Sequence, residues 1–147
     1  MINIKNEQDS IEDMTVRSLD ESLVGLKSLH QNSVECGQLM LMDAENGLPK
    51  FKELVENVRN FYVFENDVRS FFQINGKNIR DSVGDLTTAE EDLSCLMNDM
   101  VVKLDTNDLQ NLAKMLINGL PAALGRFANL FPILRQYIQN EYLIASC

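Results

Sequence analysis

Apolar residues recur along this chain with helical rather than alternating spacing. From Ser18 onward Leu19, Leu23, Leu26 and Leu29 or His30 fall three or four residues apart, which gathers them on one helix face. Asp20 and Glu21 stand near the first turn, where carboxylates complement the positive end of the helix dipole. Upstream, Ile2 and Ile4 alternate with polar neighbours, so residues 1–17 are expected to form a tail or a short N-terminal strand. Between Asn32 and Gly37 the pattern is open: Asn32 and Ser33 have N-cap chemistry, Gly37 is a weak point in a helix, and the run Leu39 to Met42 has helical flanks.

Asn46-Gly47 followed by Pro49 predicts one helix ending and the next beginning. Phe51, Leu54, Val55, Val58, Phe61, Tyr62, Val68, Phe71 and Phe72 then hold helical phase, with Val63 and Phe64 adding apolar character on a second side. After Ile74 the pattern stops. Asn75-Gly76 and Gly84-Asp85 bracket a polar connection whose core candidates are Ile79 and Val83. Thr87-x-x-Glu90 has the form of a capping box, and Ala89, Leu93, Leu96, Met97, Met100, Val101 and Leu104 follow at helical spacing. The short turn Asp105-Thr106-Asn107 then predicts that the last two helices are antiparallel neighbours.

From Thr106 to the end, twenty-three residues are apolar and five are charged (Asp108, Lys114, Arg126, Arg135 and Glu141). Leu109, Leu116, Ala123, Leu130 and Tyr137 form one seven-residue stripe, and two more run beside it: Ala113, Leu120, Phe127 and Leu134, then Ile117, Leu124, Phe131 and Ile138. That width exceeds the roughly 100° a surface helix buries against one core. Pro121 and Pro132 each remove a helical hydrogen bond at a cost of about 3 kcal/mol, yet the stripes keep phase across both. One long proline-bent helix is therefore expected, eased by Gly119 and Gly125, and acting as the strut of a bundle or as half of an interface.

The fold class that follows is mainly α: an up-and-down bundle of four to five helices, spanning residues 18–147 as one domain. Net charge is −9, with −6 on residues 1–46 and −5 on 85–105. That balance disfavours nucleic acid, whose binding needs clustered Lys and Arg. Three basic residues of the middle helix and connection have carboxylates four positions away (Lys52 with Glu56, Glu65 with Arg69, Lys77 with Asp81), the pattern of a solvated helix face. The first residues carry no apolar run of signal-peptide type, and Cys36, Cys95 and Cys147 lack C-x-x-C spacing. A cytoplasmic protein with reduced thiols and no membrane association is expected.

Catalytic and cofactor chemistry finds little support. His30 has no Glu-x-x-His partner for a metal-binding bundle, no G-x-S-x-G elbow positions a serine, and Gly76-Lys77 lacks the glycine and the hydroxyl of a phosphate loop. Glu53-x-x-Glu56 resembles half of a magnesium-dependent all-helical nucleotide hydrolase site, but no second pair matches it, because Glu90, Glu91 and Asp92 are adjacent and diverge. The expectation is no enzyme, no cofactor and no metal.

The stretch from Gln38 to Phe51, with Leu39, Leu41, Asn46-Gly47 and the amphipathic helix behind them, resembles the start of flagellar-export chaperones, small acidic bacterial bundles that hold helices of a secreted subunit. Pro49 and Asp43-Ala44-Glu45 depart from that family's uninterrupted helix. Met100 to Tyr137, with its Leu-Asp-Thr-Asn-Asp turn and Leu120-Pro121, is similar to the closing helix pair of bacterial bundle proteins of unknown function. The wide apolar helix faces, together with this resemblance, point to a non-catalytic module that binds a helical partner or a second copy of itself, with export-chaperone-like holding as one form of this, the alternatives being an oligomeric structural or regulatory subunit and the hydrolase. Phe64 and Phe71 on the middle helix and Leu124, Phe131 and Ile138 on the last are the expected partner-binding residues. The seven methionines, Met40, Met42, Met97 and Met100 among them, suit adaptable packing.

Overall fold

The computed structural model describes the backbone of residues 4–145 and the side chains of residue 11 and residues 13–141. The main helices are α1 (Ile4–Met42), α2 (Ala44–Phe71) and α3 (Leu86–Asp105). A C-terminal rod follows, made of α4 (Leu109–Lys114), a π turn (Met115–Gly119) and α5 (Leu120–Ala145). Among the described residues there is no strand. Helix α1 begins at Ile4, so the tail or strand expected over residues 1–17 is helical from that point, while Ile2 lies outside the described residues. Four isolated residues have no sheet to join, whereas a helix started there extends one already nucleated downstream.

The chain runs up, down, up and down. Asp20 of α1 lies 3.4 Å from Arg135 of the rod, and Ser33 of α1 bonds to Leu116, so α1 and the rod are antiparallel along their length. Helix α1 also packs along α2, and α3 packs along the rod. The first hairpin turns on the single residue Asp43, whose carboxylate accepts from the Asn46 backbone N–H at 3.3 Å and from the Asn46 amide at 2.5 Å. Neither Gly37 nor Gly47 ends a helix. Both are places where helices approach closely: a Cβ on Gly37 would lie 2.6 Å from Ile117 Cγ1, and one on Gly47 would lie 2.6 Å from Met40 Sδ. Pro49 sits inside α2.

Helix ends carry the remaining corrections. Helix α2 is closed by Gln73 in the left-handed region (φ 53°), with the Ile74 N–H donating to the Arg69 carbonyl at 2.9 Å. Asn107 (φ 57°) closes α3 in the same way. The cap of α3 is Asp85, which accepts from the Thr88 N–H at 2.7 Å. The Thr87-Glu90 box does not form, because Glu90 is buried and turned toward α2. Between these helices the connection is pinned by Asp81, which accepts two bonds from Arg126 of α5 and the N–H groups of Val83 and Gly84. Those bonds, the Arg126 pair first, hold its carboxyl well below the usual carboxylate range.

The rod is the strut of the bundle. Leu116, Leu120, Leu124, Phe127, Leu130, Phe131, Leu134 and Ile138 are all buried, and Phe61 of α2 stacks against Phe127 and Phe131 at ring-centroid distances of 5.2 and 5.6 Å. At about 1.5–3 kcal/mol per buried side chain, this packing far outweighs two prolines. Helical structure is continuous from Leu109 to Ala145, with a π turn (Met115–Gly119) just before Pro121. The Leu120 N–H donates to the Met115 carbonyl, five residues back, and Pro121 has no N–H to give. The Leu116 carbonyl thus loses both of its possible helical donors, and the Ser33 hydroxyl of α1 supplies the missing one at 2.5 Å in a fully buried site.

Candidate functional site

Three sides of the bundle are closed by direct helix packing. The fourth, between α2 and α3, is closed at one end and open over the rest. At the closed end, Arg69 of α2 donates through Nε to Glu90 Oε2 of α3 at 3.0 Å, through one guanidinium nitrogen to Asn66 Oδ1 at 3.2 Å, and through the other to the Ile74 carbonyl at 3.5 Å. Glu65 lies beneath, 0% exposed, with Oε2 accepting from Asn66 Nδ2 at 3.2 Å and Oε1 meeting no protein donor.

Burial pushes the Glu65 carboxyl up to about 9; a hydrogen bond and the negative charge of Glu90 add to the rise, and Arg69 opposes it. Of the three carboxylate pairs expected on solvated helix faces, only Glu65 with Arg69 forms, at 3.9 Å, and it faces inward. Asp81 serves Arg126 instead of Lys77. Spacing alone cannot say which way such a pair faces, but Glu65 falls seven residues after Val58 and four before Arg69, on the stripe that includes Phe51, Leu54 and Phe61.

One turn above this cluster the helices part. Val55, Val58, Arg59 and Tyr62 of α2 face Leu93, Ser94, Met97, Asn98 and Val101 of α3 across a groove of about 190 Å³. Its floor is apolar. The side chains of Arg59, Ser94 and Asn98 and the Tyr62 hydroxyl make no hydrogen bond or ion pair among the described residues. Val63, Val101 and Val102 are 50%, 42% and 55% exposed, so apolar surface continues from the groove onto the outer faces of both helices.

The residues expected to bind a partner are scattered. Leu124, Phe131 and Ile138 are each 1% exposed and line the core, because α1, α2 and α3 together cover more of the rod than one neighbouring helix could. They present no docking face. Phe64 is half-buried in a shallow cleft with Ile11, Met14, Thr15, Ser18 and Val68, and Phe71 stands exposed against Phe72. These two do not adjoin the groove. His30 is exposed, Leu29 taking the inward position. Cys36 is buried and Cys95 exposed, and Cys147 lies outside the described residues. Glu53 and Glu56 face solvent, and no group of three His, Cys, Asp or Glu with metal-binding geometry occurs among the described residues.

No family model, curated protein or solved structure matches this chain. No described helix is long and apolar enough to cross a membrane. The groove was missed in the sequence because its residues belong to two helices whose separation depends on a third. The available signal was the run of apolar residues Val55, Tyr62, Met97 and Val101 on the same sides of α2 and α3 as the half-buried Arg69 and the buried Glu90.

Proposed function

We propose that this protein is a non-catalytic protein-binding module whose docking site is the groove between α2 and α3. The supporting observation is the open seam itself: an apolar floor rimmed by Arg59, Tyr62, Ser94 and Asn98, whose side-chain polar groups make no hydrogen bond or ion pair among the described residues. Such a rim leaves hydrogen-bonding capacity for an incoming helix, while Val55, Tyr62, Met97 and Val101 give it apolar area to cover. Met97 adds an adaptable surface. The geometry is compatible with export-chaperone-like helix holding, relocated from the rod to the seam.

The Arg69–Glu90 bridge ties the two helices together at one end of the groove. A photo-crosslinker in place of Met97 tests the reading in cells, with one in place of Gly25, which faces open space, as control. The reading expects capture of a helical segment from Met97 alone, lost on Val101→Asp without loss of thermal stability. Equal capture from both sites, or capture indifferent to Val101→Asp, contradicts it.

A further inference from the structure

The closed end of the α2–α3 seam holds more acid than base. Glu65 of α2 and Glu90 of α3 are both buried, and the cation that faces them, among the described residues, is Arg69. Its guanidinium is already committed: Nε donates to Glu90 Oε2, and the two terminal nitrogens donate to Asn66 Oδ1 and the Ile74 carbonyl. Glu65 Oε1 stands 3.9 Å from Arg69 Nε, too far for a hydrogen bond, and meets no donor, while Oε2 accepts from Asn66 Nδ2.

Two ionised carboxylates against one guanidinium would leave an uncompensated negative charge out of water, which a proton on one of them removes. A carboxyl oxygen that meets no donor is free to carry that proton and to donate it. Glu65 has Glu90 within hydrogen-bonding reach across the seam. The charged groups that act on Glu65 among the described residues are Glu90, from α3, and Arg69, from its own helix; α1, the rod and the connection contribute none. Burial first, then the hydrogen bond and charge of Glu90, raise the Glu65 carboxyl, in keeping with a retained proton.

We propose that Glu65 and Glu90 share one proton across the seam, held on Glu65 Oε1 and donated to the Glu90 carboxylate, and that this proton is a clasp whose loss to solvent parts α2 from α3 at the closed end. With the proton in place, Glu65, Glu90 and Arg69 are together neutral. Without it, two carboxylates oppose each other across the seam and Arg69 serves only one. The groove then lengthens by the turn that Glu65 and Glu90 close. This clasp belongs to the helix pair and does not depend on what docks in the groove.

Infrared spectra and one helix-to-helix distance, followed through the same pH series on the full chain, test this. At pH 7 the folded wild type shows the C=O band of a protonated carboxyl, and the band is lost far above the pH at which an exposed glutamate titrates. Spin labels at Ser70→Cys of α2 and Ser94→Cys of α3, both exposed, with Cys95 and Cys147 replaced by serine, report a distance that lengthens over the same interval at constant helix content. Glu65→Gln abolishes the band and keeps the distance short throughout, because its amide N–H donates to Glu90 and cannot be lost. Glu90→Gln moves the loss of the band to lower pH, since Arg69 is then free for Glu65. A folded wild type without the band at pH 7, its Glu65 Oε1 then served by a buried water, overturns the proposal. So does a band lost with no change of distance or only as the helices unfold, or a distance in folded Glu65→Gln that still follows pH. Should neither variant fold, the paired titration of the wild type decides alone.

Discussion

The Ser33 hydroxyl donates to the Leu116 carbonyl at 2.5 Å across the interface of α1 and the rod, and that carbonyl is the one Pro121 deprives of a helical donor. The two residues are 83 positions apart in sequence, yet each explains the other. A proline in the interior of the rod is tolerated because the turn before it opens to π geometry and a neighbouring helix satisfies the orphaned group.

Removing that hydroxyl has a defined cost. Ser33→Ala leaves a buried carbonyl unsatisfied, a loss of about 1–3 kcal/mol, read as a fall in Tm of about 2–4 °C for each kcal/mol in a chain of this size. In a Pro121→Ala background, residue 121 regains an N–H and the same Ser33 substitution costs less. A double-mutant cycle with no coupling energy would contradict the assignment.

Two glycines of α1 give opposite results. Gly37→Ala places a Cβ 3.0 Å from the Ala113 carbonyl oxygen as well as against Ile117, and backbone cannot swing aside as a side chain can. It destabilises by about 1–3 kcal/mol. Gly25→Ala meets nothing within 4 Å and stabilises by about 0.5–1 kcal/mol, the usual gain for a helix interior. Urea unfolding of both variants checks the contrast.

Gln73 holds a positive φ of 53° at the end of α2, a conformation glycine adopts without strain. Gln73→Gly is expected to raise stability by about 0.5–1 kcal/mol, against the usual penalty for glycine in a regular element. Thermal unfolding gives the sign directly.

Stability also depends on pH through Glu65. The folded chain holds a proton on this carboxyl up to about pH 9, whereas an unperturbed glutamate releases it near 4.5. Across that window the native state binds more protons than the unfolded state, so stability from this group falls as pH rises. Glu65→Gln removes the titration. Comparing Tm at pH 5 and pH 8, the variant shows a smaller drop than the wild type; identical drops would mean that Glu65 titrates as an exposed acid.

Much of the fold was legible because stripes at helical spacing report burial directly: Leu93 and Met100 on α3, Phe51 and Val58 on α2, and the whole C-terminal rod. The inward position of Leu112 was not. The π turn adds a residue, so the buried leucines run 112, 116, 120 and 124 at intervals of four before the usual alternation of three and four resumes at Phe127. A strict seven-residue repeat passes over that change. The width of the rod's apolar surface was read correctly, but how many neighbours cover it is a tertiary fact, and three helices do so here. The face of α2 that receives α3 was hidden for the same reason, its polar residues Glu65 and Arg69 reading as surface until Glu90 is placed opposite them.

Whether the docking surface is the α2–α3 groove or the rod is decided most directly by thiol labelling of Val101→Cys and Leu124→Cys, with Cys95 and Cys147 replaced by serine. In dilute solution the groove site reacts at the rate of an accessible thiol and slows when its partner, or a second copy at high concentration, is present, while the rod site stays unreactive throughout. A rod site that reacts rapidly in dilute solution and becomes protected on association would place the interface on the rod and contradict this account.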